Sequence, residues 1–373
     1  MKNALIITLL LFILNFTAQA QSPVSYPKDT TTISPPELNF EVLWHTFQDN
    51  YAFFKLRNID WQQTYHQYRP LVNTHTSPDS LYAIFTRMLA PFRDNHVNLI
   101  IPGIKQFKAA KPSAYLREFP TDSLRSALRN TSDKTLLRNR FSELKTIGPV
   151  FDGEPLFSYT RSKQYGYLRF NRCFVTQEAD NIPDAAVARH LLDTVFNYLD
   201  GVKALIIDVR DNIGGNDEFS YEVAGRFTDQ KKIGSYKKIR KTGGGYDEFD
   251  STETWHLTPK GPKAFTGSVA LLINDKTVSA ADLFALIMKE LPQVTTIGTN
   301  TCGIFSDKYV FTLPNSWIVT LSNERYYNAA MICYEGSGIP ADIPAENKRQ
   351  DLISMNDPVI QKAIATLIKY TGR

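Results

Sequence analysis

Strands alternate with helices along the second half of the chain, and this alternation is the strongest constraint on its fold. Apolar runs at 204–209 and 269–273 are each followed by a short polar turn and then by a helix-period segment, at 218–227 and 280–290. Parallel strands need crossover connections of this kind, so the pattern predicts an α/β layer. We expect the same sheet to be completed by further strands at 166–170, 294–297, 308–313 and 317–321.

The first half of the chain has a different pattern. Apolar residues recur every three or four positions at 37–55, 59–68 and 81–89, as in amphipathic helices, and an apolar run follows at 97–101. The stretch 102–163 is mixed and polar, with one short helix predicted at 121–128. We interpret this stretch as a connecting segment.

The first twenty residues have the pattern of a secretory signal peptide. Lys2 is followed by an apolar run at 5–14 and by the cleavage pattern Ala18-Gln19-Ala20. The chain is therefore expected to be exported, to the periplasm or the medium. Elsewhere no apolar run reaches the roughly 18 residues of a membrane helix, so no membrane span is expected.

Composition excludes several kinds of partner and site. With 42 Lys+Arg against 38 Asp+Glu, the net charge of +4 is too mild to suggest nucleic-acid binding. The three cysteines, Cys173, Cys302 and Cys333, are too few for a disulfide scaffold and fit no zinc pattern. We expect neither a metal nor a cofactor.

Two strand-to-helix turns carry residues suited to chemistry. Gly214 and Gly215 follow the first buried strand, where adjacent glycines allow a sharp turn and leave backbone N–H groups open to an anion. Ser279 follows the second strand and precedes Ala280 at a helix start, where the helix dipole stabilises negative charge. Ser279 with Asp282 is also the spacing of a capping box, so a purely structural role remains open for that pair.

The order of these features resembles the tail-specific, or C-terminal processing, serine peptidases. The resemblance is carried by His96, the glycine turn, Ser279, the Thr-Cys-Gly turn at 301–303 and the segment from Glu335 to residue 342. It implies an α/β fold with an N-terminal helical domain and a ClpP/crotonase-like catalytic domain. The implied division is a signal peptide at 1–20, a helical domain at 21–105, a connecting subdomain without a clear PDZ module at 106–160, the catalytic domain at 161–345 and a C-terminal helix at 346–373.

The family has two kinds of general base, and the resemblance favours histidine here. One branch places a lysine directly after the Thr-x-Gly turn, where this chain has Ile304. The other branch, similar to the tricorn protease core, takes a histidine from the preceding helical region and a glutamate from a later loop. His96 and Glu335 match those two positions, and Asn95 stands where tricorn-like enzymes have a serine and is a possible orienting residue.

The resemblance implies hydrolysis of a peptide or an unfolded protein through an acyl-enzyme on Ser279. His96 would act as general base, since a serine hydroxyl is a poor nucleophile until a base takes its proton. The backbone N–H groups of Gly214, Gly215 and Ala280 would form the oxyanion hole.

Two other functions fit the same fold. One is a non-catalytic ligand- or peptide-binding protein, and the other is an enzyme that acts on thioesters. We also consider a disulfide between Cys302 and Cys333, because both thiols flank the predicted site.

Overall fold

A computed structural model describes residues 33–175 and 183–371. The predicted signal peptide at 1–20 lies outside the described residues. Among the residues that are described, every helix is too short or too polar to cross a bilayer.

The described ranges contain helices and strands in the order expected of a mixed α/β protein. Ten α-helices, α1 to α10 in chain order, span Pro35–Asn50, Trp61–Tyr68, Pro78–Leu89, Ala114–Glu118, Asp122–Arg138, Asp184–Tyr198, Asp217–Ala224, Ala280–Lys289, Arg349–Ser354 and Pro358–Thr371. Fourteen strands, β1 to β14, span Asn98–Ile101, Lys105–Lys108, Lys145–Phe151, Glu154–Arg161, Tyr165–Arg169, Ala204–Asp208, Lys232–Ile239, Glu253–Leu257, Ser268–Ile273, Val294–Gly298, Lys308–Thr312, Ile318–Ser322, Glu324–Tyr327 and Ile343–Pro344.

The chain divides into two units, and the first comprises residues 33–110 and 308–322. Its helices α1 to α3 bury a core rich in aromatic rings, formed by Phe47, Tyr51, Phe54, Trp61 and Phe92. Ring centroids in this core lie 4.7 to 6.0 Å apart, mostly in edge-to-face geometry. Aromatic pairs prefer this arrangement, which adds to the stabilisation that burial of the rings provides.

A four-stranded antiparallel sheet completes the first unit, in the order β11-β12-β1-β2. The prediction that 308–313 and 317–321 complete the large sheet is therefore wrong. β12 pairs with β1, from Asn98 opposite Thr320 to Ile100 opposite Ile318. The alternating apolar pattern showed that these segments are strands, but a pattern of this kind does not identify the partner strand.

The second unit comprises residues 111–175, 183–307 and 323–371, and is built on a seven-stranded sheet. The strand order is β14-β10-β9-β6-β5-β4-β3, with parallel pairing from β14 to β5 and antiparallel pairing beyond it. A separate three-stranded antiparallel sheet has the order β13-β7-β8. The expected α/β class with an N-terminal helical region is confirmed.

The central strand β6 is buried on both faces. Leu205 and Ile207 pack into the core that contains α6, α7 and α8, whereas Ala204 and Ile206 pack into the core that contains α10. Side chains alternate between the two faces of a strand, so a continuous apolar run is what a sheet covered on both sides requires. This packing fixes the turns that follow β6 and β9 at one edge of the sheet.

The stretch 106–160, predicted to be a connecting subdomain, is part of both units. Its strands β3 and β4 extend the large sheet, with β4 paired to β5 from Ser158 opposite Arg169. The helix predicted at 121–128 is α5 and continues to Arg138. Both differences arise because this polar, half-exposed segment gains its structure from tertiary packing, which local sequence does not reveal.

Candidate active site

Ser279 occupies a strained position at the start of α8. Its backbone has φ 62° and ψ −127°, whereas helix N-cap residues normally have an extended conformation with negative φ. Residues other than glycine rarely adopt such angles unless the surrounding structure imposes them, and they cluster at functional sites. Here the Ser279 N–H donates to the carbonyl oxygen of Ile304 at 3.1 Å. The side chain is half-buried, at the N-terminal end of the helix.

Asp282 fixes the Ser279 turn to a neighbouring loop. The fully buried carboxylate accepts the N–H groups of Ser279, Gly303 and Ile304 at 3.1, 2.9 and 3.0 Å. The Ser279–Asp282 bond matches the predicted capping box, but the bonds to the loop go beyond capping a helix. Burial raises the pKa of the Asp282 carboxyl to about 6, although hydrogen bonds from Thr301 and the three backbone groups favour the ionised form.

The glycine turn after β6 packs directly on the Ser279 turn. Gly214 has φ 78°, and a β-carbon added there would lie 2.5 Å from the Val278 carbonyl oxygen and 2.7 Å from the Ser279 Cβ. Val278 in turn donates its N–H to the Asn212 carbonyl at 3.1 Å. Only glycine satisfies both the left-handed backbone and this close approach.

The two glycines differ in what their N–H groups do. The Gly214 N–H donates to Asn212 Oδ1 at 2.8 Å. Gly215 forms a parallel bridge with Cys173 in which the Gly214 carbonyl and the Asn216 N–H make the hydrogen bonds, so the Gly215 N–H points away from Cys173. Ala280 is the first residue of α8, where N–H groups have no intrahelical acceptor. Gly215 and Ala280 are therefore the better-suited oxyanion donors of the three residues predicted.

Glu335 is buried beside the same loop. Its Oε2 accepts the Phe305 N–H at 2.9 Å, and only 3% of the residue is exposed. The segment that carries it is tied to the loop again where the Gly336 N–H donates to the Gly303 carbonyl at 2.7 Å. The adjacent residues Ile304 and Phe305 thus contact Ser279 and Glu335, respectively, through their backbones.

His96 and Asn95 belong to the first unit, on the turn that leads into β1. The His96 N–H donates to Asp94 Oδ1 at 2.9 Å, and its carbonyl accepts the Thr320 hydroxyl at 2.5 Å. Asp94 is itself buried and accepts the Tyr51 hydroxyl at 3.0 Å. The backbone on both sides of the imidazole is thereby fixed. Asn95 is half-buried in the same turn, and its carbonyl accepts an N–H from the Asn98 side chain at 3.2 Å.

Ile304 occupies the place where the lysine-base branch has its catalytic amine. Its side chain is fully buried in a small apolar cluster with Val278 and Cys302. Burial of an ammonium group among apolar side chains is costly. The local packing is thus consistent with a base other than a lysine at position 304.

The disulfide considered between Cys302 and Cys333 is not formed, and Cys173 is likewise a thiol. Burial raises the pKa of both the Cys302 and the Cys333 thiols, which disfavours the thiolate needed for disulfide exchange.

Sequence reasoning missed Lys111, which contacts the same loops. Its Nζ donates to the carbonyl oxygens of Cys302 and Gly336, at 2.7 Å in each case. Lys111 lies in the polar stretch before α4 and belongs to no motif, so local sequence gave no signal for it.

Two family models match separate parts of the chain. Residues 164–345 match the family model of peptidase family S41, and residues 36–90 match that of the tricorn protease C1 domain. A candidate peptidase from Parabacteroides merdae is 27% identical with a TM-score of 0.74, over 90% of this chain and 97% of that one.

More distant structures share the fold. Mature CPAF is 13% identical with a TM-score of 0.64, over 91% of this chain and 98% of that one. The tricorn protease is 15% identical with a TM-score of 0.53, and the match covers 91% of this chain but 37% of the much longer tricorn chain. The two family models, matched in chain order and together with the fold, identify the chain as a member of peptidase family S41, the tail-specific serine peptidases.

Proposed function

We propose that this chain is an exported serine peptidase that hydrolyses peptide bonds through an acyl-enzyme on Ser279. The observation that carries the proposal is the strained Ser279 backbone, packed on the Gly214–Gly215 turn at the N-terminus of α8. A serine in this position exposes its hydroxyl next to backbone donors, which is what acyl transfer requires.

In the proposed cycle the Ser279 Oγ attacks the carbonyl carbon of the scissile peptide bond, and His96 takes its proton. An imidazole suits this role because, as a class, it can accept and return a proton near neutral pH. His96 then gives the proton to the leaving amine, and a water molecule, activated in the same way, hydrolyses the ester. Glu335 supplies the negative charge that orients and stabilises the imidazolium.

The oxyanion of the tetrahedral intermediate would lie between the N–H groups of Gly215 and Ala280. Each donor of this kind typically contributes about 3–4 kcal/mol to the transition state. The start of α8 adds the positive end of a helix dipole at the same place. Peptides and unfolded proteins are the proposed substrates, as implied by the peptidase family.

Hydrolysis of a library of unstructured peptides, read by mass spectrometry, tests the proposal. We expect cleavage by the wild-type chain and none above background by Ser279→Ala, with unchanged thermal unfolding. Cleavage that survives in Ser279→Ala would refute the nucleophile. Binding of peptides without cleavage by the wild type would favour the non-catalytic alternative.

Export is a separate part of the proposal and rests on residues 1–20. Expression of the full chain in a bacterium, followed by fractionation and N-terminal sequencing, tests it. We expect an exported product that begins at Gln21. A product that keeps Met1 and stays in the cytoplasm would contradict export without affecting the peptidase assignment.

A further inference from the structure

We propose that Lys111 is a positioning residue for the reaction at Ser279, because its ammonium group joins the loop that fixes the nucleophile to the loop that carries Glu335. The inference rests on the proposed function. Its basis is the pair of 2.7 Å hydrogen bonds from Lys111 Nζ to the carbonyl oxygens of Cys302 and Gly336. Hydrogen bonds from a charged donor are roughly twice as strong as neutral ones.

The first of these carbonyls belongs to the loop that determines the Ser279 backbone. Directly after Cys302, the N–H groups of Gly303 and Ile304 donate to Asp282, and the Ile304 carbonyl accepts the Ser279 N–H. The Cys302 N–H also donates to the Thr277 carbonyl at 2.8 Å. A shift of the Cys302 carbonyl is therefore transmitted to the nucleophile through contacts one or two residues away.

The second carbonyl belongs to the residue after Glu335. Glu335 accepts the Phe305 N–H, and Gly336 donates to the Gly303 carbonyl. Two carbonyl oxygens directed at one point repel each other unless a cation lies between them. The Lys111 ammonium group thus allows the two loops to approach each other next to Ser279 and Glu335, where a fixed loop conformation matters for catalysis.

Lys111 is itself fixed relative to the Ser279 turn. Four residues before Ser279, Asp275 accepts the Ser113 hydroxyl at 2.9 Å and the N–H groups of Ala114 and Tyr115 at 2.5 and 3.2 Å. These bonds anchor the start of α4 to the turn after β9. The lysine stem therefore begins from a fixed backbone, so its ammonium group is preorganised rather than a mobile surface charge.

Removal of the Lys111 ammonium group should disturb the orientation of the reacting groups more than it weakens substrate binding. Lys111 lines a cavity of about 280 Å³, so a neutral side chain can be accommodated there and the two carbonyls can be hydrated. The loops would then relax, and misplacement of a reacting group by about 1 Å can cost on the order of 100-fold in rate.

The test compares Lys111→Met, Lys111→Gln and Lys111→Arg with the wild type in peptide hydrolysis and in the rate of Ser279 labelling by a fluorophosphonate. Lys348→Met is the matched control, since Lys348 lines the same cavity but is half-exposed and pairs with Glu346 at 2.8 Å. We expect kcat and the labelling rate to fall about 10- to 100-fold in the Met and Gln variants with KM within about threefold. Lys111→Arg should recover most of the loss, and Lys348→Met should behave as wild type.

Two results would overturn this inference without affecting the proposed function. One is a wild-type kcat in Lys111→Met or Lys111→Gln, and the other is an equal loss of kcat in Lys348→Met. Should Lys111→Met fail to fold, the Gln variant decides, because it keeps a donor and a polar terminus on a similar stem. A wild-type chain that neither cleaves peptides nor reacts with the probe would overturn the proposed function, and this inference with it.

Discussion

Gly214 lies so close to Ser279 that a single added β-carbon would stand 2.7 Å from the serine Cβ. The turns that follow β6 and β9 are thus in backbone contact, and the shape of one sets the shape of the other. Since adjacent parallel strands β6 and β9 end at the same edge of the sheet, this contact follows from the sheet topology.

Gly214→Ala should abolish reaction at Ser279 while leaving the fold intact. The added methyl group must displace the Val278 carbonyl or the nucleophile, at a position where φ is already 78°. We expect the labelling rate with a fluorophosphonate to fall at least about 100-fold. Gly153→Ala is the control, because Gly153 has φ 76° but open space around it. That variant should lose only about 1–2 kcal/mol of stability and keep the wild-type rate. Equal rates in the two variants would contradict the role of the close contact.

Asp282→Ala should destabilise the protein by about 2–4 kcal/mol, because three backbone N–H groups lose their buried acceptor and only part of this is offset by removal of a buried charge. Asp122→Ala is the matched control. Asp122 lies in the first turn of α5 with its side chain 90% exposed, so its substitution should change stability little. Urea unfolding of both variants measures the difference. A loss for Asp282→Ala no larger than for Asp122→Ala would show that the carboxylate is not needed to join the two segments.

The pKa of Asp282 also predicts how stability depends on pH. Burial raises this pKa from 3.8 to about 6, so between these values the folded state binds more protons than the unfolded state. The contribution of Asp282 is therefore fully present below pH 3.8 and is lost as pH rises through 6. A shift of this size corresponds to about 3 kcal/mol. The free energy of unfolding of the wild type, relative to Asp282→Asn, should fall by most of that amount from pH 4 to pH 7. A difference that stays constant with pH would contradict the raised pKa.

Glu335→Gln separates the electrostatic role of Glu335 from its structural one. The amide oxygen of glutamine can still accept the Phe305 N–H, whereas the negative charge is lost. We expect stability within about 1 kcal/mol of wild type. The labelling rate at Ser279 should fall about tenfold or more, because the imidazolium loses its stabilising charge. If Ser279 in Glu335→Gln is labelled as fast as in the wild type and only Glu335→Ala is slow, Glu335 acts through its hydrogen bond to the loop and not through its charge.

The local pattern of the sequence was sufficient to predict the elements around Ser279. Apolar runs, helix periodicity and the glycine and serine turns are encoded within a few residues, and the observed β6, β9 and α8 begin and end within one residue of the predicted bounds. Pairing between distant segments is not encoded in this way. The partner of β12 is β1, more than 200 residues earlier, and its apolar alternation would fit either sheet equally well.

Lys111 illustrates the same limit for the site. A lysine in a polar stretch is usually a solvated side chain, and only the folded backbone directs it at two carbonyls far along the chain. Nor could the sequence show which of Gly214 and Gly215 is the better oxyanion donor. The answer depends on which of the two N–H groups donates to the Asn212 side chain.

The proposed reaction requires Ser279 to be a nucleophile that His96 activates. Reaction of the protein with a fluorophosphonate probe at neutral pH, followed by peptide mass mapping, tests both roles. We predict a single modified residue, Ser279, and loss of the modification in His96→Ala, whose cooperative thermal unfolding would show that the variant is folded. Labelling at Ser279 that is equally fast in His96→Ala would contradict the base, and a folded wild-type protein that is not labelled would contradict the nucleophile.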